Sequence, residues 1–293
     1  MPLSNFSLTR RQALLGFASL TSGIAITNCG NSDSSQKLSL GARFADGFQA
    51  PTVLAAGSPQ RAPYVLLGED GWPAIQKTPR QIELNVKSTA SDKIVFSGEV
   101  LKHGEPGVIP YYPLVFTPPS PGEYLIEGKD LIGEHRLVIA DSKDLKIIQI
   151  GDYMPRLATP TIDNNLEINP ICTKVDGPCP LHQLSLDKSL AESKPIALLV
   201  SSPRFCQTDV CGPALEVLIE KSISLKETVS IIHTEVFIEP NNNDFSLSPI
   251  VRSLGLTFEP SLIVSDKAGI VKAILHFAMD KKEVEEALSA ANK

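Results

Sequence analysis

The sequence has little aromatic character and few cysteines. Only 6% of its 293 residues are aromatic, with a single Trp, and only five residues are Cys. Five cysteines in a chain of this length exclude a small disulfide-dense scaffold, which depends on its cross-links for stability. The hydrophobic content of 42% is nevertheless enough for packed cores, and it excludes a wholly disordered chain.

Basic residues are also scarce relative to acidic ones. The chain has 27 Lys and Arg against 33 Asp and Glu, which gives a formal net charge of −6. Nucleic-acid binding usually requires a basic surface, so we expect no nucleic-acid partner. The sequence also lacks a Walker loop, a dinucleotide glycine fingerprint and the HExxH and GxSxG motifs. We therefore expect none of the corresponding cofactors or active sites.

Residues 1–28 have the pattern of an export signal. Their only charges, Arg10 and Arg11, precede an uncharged and mostly apolar stretch at residues 13–27. This stretch is of the length expected for a signal peptide and is too short for a transmembrane helix. The adjacent arginines resemble a twin-arginine (Tat) signal, with Ala13 at a position where that pattern prefers Phe.

Cys29 follows the apolar stretch and resembles the processing site of a bacterial lipoprotein, in which the cysteine becomes the lipidated N-terminus. Asn28 departs from that pattern, which usually has Gly or Ala before the Cys. The resemblance implies an exported protein of the cell envelope, anchored to the membrane by lipid and facing the periplasm or the exterior. Simple cleavage and release is the alternative. The polar residues that follow predict a flexible tether over residues 29–44.

Residues 45–150 carry the signals of short antiparallel strands. Residues 81–87 alternate polar and apolar side chains without a break, which predicts a strand with one buried face. Gly, Pro and Asp clusters separate it from the other candidate strands, at residues 64–67, 93–100, 112–116, 123–126, 135–139 and 145–150. This spacing favours an antiparallel β-sandwich. The strand–turn–strand pattern at residues 116–126, with a Tyr near a corner, resembles an immunoglobulin-like domain, here without an inter-sheet disulfide.

After a predicted linker at residues 151–169, the pattern changes. Residues 195–200 form a continuous apolar run, which is typical of a strand buried on both faces. The following segments predict alternating helices and strands, namely a helix at 214–223, a strand at 229–237, a helix at 249–254, strands at 261–264 and 270–275, and a final helix capped by Asp280. The whole chain is thus predicted to be α+β, with an immunoglobulin-like sandwich followed by a mixed α/β domain at residues 170–293.

A pair of cysteines lies between the first buried strand and its helix. Cys206 and Cys211 have the spacing C-x4-C, and Gly212 and Pro213 follow. With the order of elements and a Pro260 just before the third strand, this pattern resembles the thioredoxin family, whose cysteines are spaced C-x2-C. The resemblance implies that Pro260 is preceded by a cis peptide bond and lies against the cysteines.

The departure in spacing leaves open which cysteine attacks a substrate. Counted from the strand, Cys206 takes that position, and Arg204 could favour its thiolate. Counted from Gly212-Pro213, Cys211 takes it, close to the positive end of the helix. A static disulfide between the two is the structural alternative.

A second constellation consists of Cys172, Cys179 and His182. Turn-forming residues separate the two cysteines, so both lie on one loop and could form a structural disulfide. They could also act as a second redox pair, or bind copper or zinc with His182 and a cysteine of the other pair. Copper chaperones with an anchored thioredoxin fold are loosely similar. His233 and His276 follow apolar residues and are interpreted as core or edge residues.

These patterns predict a thiol-disulfide oxidoreductase that exchanges disulfides with a protein partner through Cys206 and Cys211, with Pro260 shaping the substrate groove. In this hypothesis the disulfide-forming cysteines are Cys172, Cys179, Cys206 and Cys211. One alternative is a copper-chaperone-like metal carrier that uses Cys172, Cys179 and His182. The other is a non-catalytic binding protein on a thioredoxin scaffold.

Overall fold

Short stretches of alternating apolar and polar residues build the N-terminal half from antiparallel strands. The computed structural model describes residues 37–42, 54–76, 78–104, 108–206, 210–225 and 227–292. The predicted export signal with Arg10 and Arg11, and the predicted lipidation site Cys29, lie outside these residues.

Eight strands form two four-stranded sheets, which we call the N-terminal sheets. Their orders are β5-β2-β1-β7 and β4-β3-β6-β8, and all neighbours are antiparallel except β1 and β7. The strands are β1 Leu38–Ala42, β2 Gln60–Leu67, β3 Gln81–Ser88, β4 Ile94–Leu101, β5 Tyr112–Phe116, β6 Gly122–Gly128, β7 Leu131–Ile132 and β8 Glu134–Ile139.

The alternation predicted for β3 places its apolar side chains inward. Ile82, Leu84 and Val86 are buried, and they belong to the same hydrophobic core as Tyr112 and Leu114 of the other sheet. The burial of apolar area between the two sheets is what stabilises this half of the molecule.

The turn before β6 is closed by a tyrosine side chain. The Tyr124 hydroxyl donates a hydrogen bond to the Ser120 carbonyl at 2.8 Å. A tyrosine that bonds to the backbone a few residues upstream is common at corners of immunoglobulin-like sandwiches. The immunoglobulin-like assignment of this region stays a prediction.

Two segments differ from the sequence-based expectation. The strand β1 falls within the predicted tether, because Leu38 and Ala42 are buried against the core and β1 pairs with β2. Residues 145–150, predicted as a strand, form none. Ile147 and Ile148 are buried there, but the Ile148 N–H bonds to the Leu254 carbonyl rather than to a neighbouring strand.

The C-terminal half contains the predicted alternation of helices and strands. It also contains a helix at Leu186–Ala191 and a hairpin at residues 237–247 that were not predicted, and the strand predicted at 229–237 ends at Thr234. Its four-stranded sheet, the C-terminal sheet, has the order β10-β9-β13-β14, with β9 and β10 parallel and the other neighbours antiparallel. The elements are α1 Leu186–Ala191, β9 Ile196–Val200, α2 Cys211–Leu225, β10 Ser230–Thr234, α3 Pro249–Leu254, β13 Ser261–Ser265, β14 Val271–His276 and α4 Lys281–Ala290, with a hairpin of β11 Phe237–Glu239 and β12 Asp244–Leu247 after β10. This mixed α+β arrangement is consistent with a thioredoxin-like part.

Residues 151–169, the predicted linker, contain neither helix nor strand and are bonded to the C-terminal half. Met154 N–H donates to the Gly269 carbonyl at 2.8 Å, and Asn169 N–H donates to the Ile238 carbonyl at 2.8 Å. The described residues belong to one compact unit. Among them, no helix combines the length and the apolar character needed to cross a membrane.

A buried ion pair joins the two halves. Arg61 of β2 forms a bidentate pair with Glu283 of α4, at 2.7 Å for each nitrogen–oxygen contact. The same guanidinium donates to the carbonyls of His276 and Ala278, and the Tyr111 hydroxyl donates to Glu283 at 2.5 Å. Every charged oxygen and nitrogen of this pair thus has a partner, which compensates for its removal from water.

Candidate functional site

A disulfide lies where the chain passes from β9 to α2. The structure joins Cys206 and Cys211, with their Cα atoms 6.2 Å apart. Cys206 is half-buried, whereas Cys211 is fully buried. The pair predicted from the C-x4-C spacing is therefore side by side, and Cys206 is the more exposed residue of the two. Residues 207–209 between them lie outside the described residues.

Cys211 is the first residue of the fifteen-residue helix α2. The first N–H groups of a helix have no intrahelical partner and give its N-terminus a partial positive charge. A thiolate that forms at this position is stabilised by that charge. Cys211 is therefore a good leaving group when the disulfide is attacked at Cys206.

A carboxyl group lies against the buried sulfur. The peptide bond between Glu259 and Pro260 is cis, as the resemblance to thioredoxins implied. Glu259 Oε2 lies 3.5 Å from Cys211 Sγ and accepts a hydrogen bond from the Ser202 backbone N–H. In the disulfide the sulfur has no proton, so it can only accept a hydrogen bond from the protonated carboxyl, whereas after reduction the thiol can donate one.

The environment of Glu259 keeps its proton available near neutral pH. Burial raises the pKa of Glu259 to about 7, against the opposing effect of the Ser202 hydrogen bond. A carboxyl with such a pKa can both give and take a proton under physiological conditions. Sequence analysis did not identify Glu259 as a site residue, because its position beside Cys211 follows from the C-terminal sheet, where β13 lies next to β9.

Three phenylalanine rings are in contact in a row that begins at the residue next to Cys206. Phe205, the neighbour of Cys206, packs edge-on against Phe245 with ring centroids 5.8 Å apart, and Phe245 packs in the same manner against Phe237 at 5.3 Å. Phe245, on the β11–β12 hairpin, is 49% exposed. An apolar surface therefore lies beside the accessible cysteine, and sequence analysis did not find it.

The second predicted pair is not a disulfide in the structure. Cys172 and Cys179 are free and buried, which corrects the disulfide predicted from their spacing. They lie beside His182, as the metal-binding alternative required, and beside His233 of β10, which sequence analysis interpreted as a core or edge residue. We call these four residues the Cys2His2 cluster, and their ligand atoms all lie within 4.8 Å of one another.

The Cys2His2 cluster is entirely buried and tightly spaced. His233 Nδ1 lies 3.5 Å from Cys179 Sγ, 3.7 Å from Cys172 Sγ and 3.2 Å from His182 Nε2. The pKa of Cys172 is lowered by the hydrogen bond from Cys179 and by the two imidazoles, although burial opposes this, and burial lowers the pKa of His182. This arrangement thus favours a thiolate at Cys172 and a neutral imidazole at His182.

The remaining histidine of the prediction has a structural role. His276, at the end of β14, is half-buried, and its removal from water lowers its pKa to about 3. One ring nitrogen lies 2.9 Å from the Ser261 hydroxyl. This neutral, hydrogen-bonded histidine fits the interpretation of His276 as a core or edge residue.

No family model matches the chain, and no curated protein matches it. Among solved structures, the chain is similar to a thiol:disulfide interchange protein of the thioredoxin family from Chlorobium tepidum TLS. The TM-score is 0.34 and the sequence identity 13%, and the alignment covers 50% of this chain and 99% of that chain.

Proposed function

We propose that this protein exchanges disulfides with a protein partner through Cys206 and Cys211. The observation that carries the proposal is the arrangement of three groups. The half-buried Cys206 is bonded to Cys211, which is buried at the N-terminus of α2. The carboxyl of Glu259, with a pKa of about 7, lies 3.5 Å from the Cys211 sulfur. A purely structural disulfide needs neither the accessible sulfur nor the proton donor.

Reduction of the disulfide begins at Cys206. A thiolate of the partner attacks Cys206 Sγ, and a new sulfur–sulfur bond forms there while the bond to Cys211 breaks. The electron pair of the broken bond goes to Cys211 Sγ, which takes the proton of Glu259. A second thiolate of the partner then attacks the partner's own sulfur in the mixed disulfide and releases the Cys206 thiolate. The partner becomes a disulfide, and Cys206 and Cys211 become a dithiol.

The reverse sequence reduces a disulfide of the partner in the same geometry, and it begins when the Cys206 thiolate attacks that disulfide and forms the mixed disulfide. Glu259, as a carboxylate, accepts the proton of the Cys211 thiol, and the resulting thiolate attacks the mixed disulfide at Cys206. Because each step moves one proton between Glu259 and Cys211, the same carboxyl serves both directions.

The proposed location is the cell envelope, with the protein tethered to the membrane through a lipid on Cys29. The support for it is the sequence pattern around Arg10, Arg11 and Cys29 described above. An oxidising compartment also suits a protein whose disulfide lies at an accessible site. In the same proposal, residues 45–150 form an immunoglobulin-like module and residues 170–293 a thioredoxin-like domain, and the Tyr124 hydrogen bond supports the first of these.

The metal-carrier alternative has weaker support. It requires Cys172, Cys179 and His182 to hand copper to a partner, and a handover requires ligands that the partner can reach. All four residues of the Cys2His2 cluster are buried, and Cys172, Cys179 and His182 lie beside His233 rather than beside Cys206 and Cys211. This arrangement favours an ion that is retained.

The proposed function is tested by trapping the mixed disulfide. The reduced full-length chain, with either Cys211→Ser or Cys206→Ser, is incubated with glutathione disulfide, and adducts are located by peptide mass spectrometry. We expect Cys211→Ser to accumulate glutathione on Cys206, because the resolving thiol is gone. We expect Cys206→Ser to accumulate little on the buried Cys211, and wild type to form the intramolecular disulfide. Equal modification of both variants, or of neither, would contradict the proposal.

A further inference from the structure

The Cys2His2 cluster brings together four side chains from two separate parts of the chain. Cys172, Cys179 and His182 come from the loop that precedes α1, and His233 comes from β10. Two sulfurs and two imidazole nitrogens within 4.8 Å of one another form the donor set of a tetrahedral metal site.

The hydrogen bonds around the cluster orient its ligand atoms inward. His233 Nε2 lies 2.9 Å from the Ser201 carbonyl, which can only accept a hydrogen bond, so the proton of this ring is on Nε2. The lone pair of Nδ1 then faces the two sulfurs and His182. The Cys179 N–H, in addition, points to Cys172 Sγ at 3.4 Å, as expected where a backbone amide supports a thiolate ligand.

The charge of the donor set selects the ion. Two thiolates without a counter-charge would be costly at this depth, and one divalent cation neutralises both. A monovalent copper ion would leave one negative charge uncompensated in this buried site. We propose that the Cys2His2 cluster binds one Zn²⁺ ion through Cys172, Cys179, His182 and His233.

The four protein ligands fill a tetrahedral shell and leave no open position, which is typical of a structural site. The ion would fix Cys172, whose neighbour Thr173 also holds the segment that leads to Cys206, since the Arg204 N–H donates to Thr173 Oγ1 at 3.2 Å. The zinc would therefore stabilise the loop on which the disulfide is placed. This role does not depend on the proposed function.

The site is tested by metal analysis of the full-length chain purified under reducing conditions with zinc present. We expect one zinc per chain in wild type, and a decrease of at least about tenfold in Cys172→Ser, His182→Ala and His233→Ala. Cys206→Ser and His135→Asn are matched controls outside the cluster and should keep the zinc. His182→Cys should also keep it, because a Cys3His set is itself a zinc site.

A spectroscopic measurement covers the case in which a ligand variant fails to fold. Wild type loaded with Co²⁺ in place of zinc should show the visible absorption of a tetrahedral cobalt–thiolate site, and added zinc should abolish it. The proposal is overturned if reduced wild type binds no stoichiometric zinc. A Cys172–Cys179 disulfide in the protein isolated without reductant and with zinc available would overturn it as well.

Discussion

The sulfur of Cys211 lies 3.5 Å from Oε2 of Glu259, at the N-terminus of α2. The sulfur is buried, and the carboxyl has its pKa raised by burial to about 7. Cys206 is the more exposed residue of the disulfide. In the proposed reaction a partner thiolate therefore attacks Cys206, while Glu259 exchanges a proton with Cys211 at the other end of the same sulfur–sulfur bond. This relationship is the basis of the proposed chemistry.

The first prediction concerns the proton of Glu259. In wild type, the rate at which a small thiol reduces the disulfide should decrease as the pH rises through about 7, once the concentration of attacking thiolate is accounted for, because Glu259 loses its proton. Glu259→Gln should remove this dependence and slow the reaction at pH 5 by about 10²-fold, the lower end for general acid catalysis. Stopped-flow kinetics between about pH 5 and pH 8 measures both.

Glu216→Gln is the matched control for this experiment. Glu216 lies on the same helix as Cys211 but is exposed, and it pairs with Lys174 at 3.4 Å. The substitution removes the same charge without touching the buried sulfur. If Glu259→Gln and Glu216→Gln have the same pH profile as wild type, Glu259 is not the proton donor.

The second prediction concerns Phe245, the exposed ring beside Phe205. If a protein partner rests on this surface, Phe245→Ala should slow reduction by a peptide dithiol with apolar neighbours by about tenfold, which corresponds to about 1.4 kcal/mol, while reduction by dithiothreitol stays unchanged. Tyr153→Ala removes an aromatic ring that is 70% exposed elsewhere and should affect neither reaction. Equal rates for Phe245→Ala and wild type with the peptide would show that the surface takes no part in recognition.

The third prediction concerns the ion pair between Arg61 and Glu283. Arg61→Met leaves a carboxylate buried without its partner, so we expect the free energy of unfolding to decrease by about 3–5 kcal/mol. Arg136→Met is the matched control, because Arg136 pairs with Glu123 at the surface, where it is 61% exposed, and should cost no more than about 1 kcal/mol. Urea denaturation compares the two. If both substitutions lowered the free energy of unfolding by a similar small amount, the buried Arg61–Glu283 pair would not stabilise the contact between the two halves.

The fourth prediction is a pH window set by His103 and Asp280, whose side chains are 2.9 Å apart. The hydrogen bond to Asp280 raises the pKa of His103, so the stability it provides is complete below pH 6.5 and is lost as the pH rises through the folded pKa. Burial opposes ionisation of Asp280, but the hydrogen bonds from His103 and from backbone N–H groups lower its pKa to about 2. The stability that the ionised Asp280 provides is therefore complete above pH 3.8 and is lost as the pH falls towards 2.

The difference in unfolding free energy between wild type and His103→Asn should therefore be largest between about pH 4 and pH 6, and should shrink on both sides. Taking the difference cancels the titration of Glu259, which is common to both proteins. A difference that stays constant from pH 3 to pH 9 would show that the pair is not linked to folding.

Much of the fold follows from local patterns in the sequence. The alternation at residues 81–87 predicts a strand with one buried face, and the apolar run at 195–200 predicts a strand with two. These are the observed strands β3 and β9. Asp280 caps α4 as predicted, with its side chain accepting from the Glu283 N–H at 3.0 Å. By contrast, β1 was missed because five residues after a polar run carry too little pattern, and its pairing with β2 is long-range.

The candidate site was only partly predictable, for the same reason. The Cys206–Cys211 pair is close in sequence, so spacing alone indicated it. His233 and Glu259 join their clusters through the C-terminal sheet, in which β10 and β13 both flank β9. An apolar strand with one histidine is more often a core strand, and nothing in its local sequence shows that Cys172 and Cys179, more than fifty residues earlier, face it.

The central claim is tested most directly by a redox titration of the folded full-length protein. Samples equilibrated in graded dithiothreitol buffers are alkylated, and the oxidised fraction of each cysteine is quantified by mass spectrometry while circular dichroism monitors the fold. We predict one reversible two-electron transition that involves Cys206 and Cys211 alone, without loss of structure. Reduction of this pair only on unfolding, or no reduction at any ratio, would contradict the account.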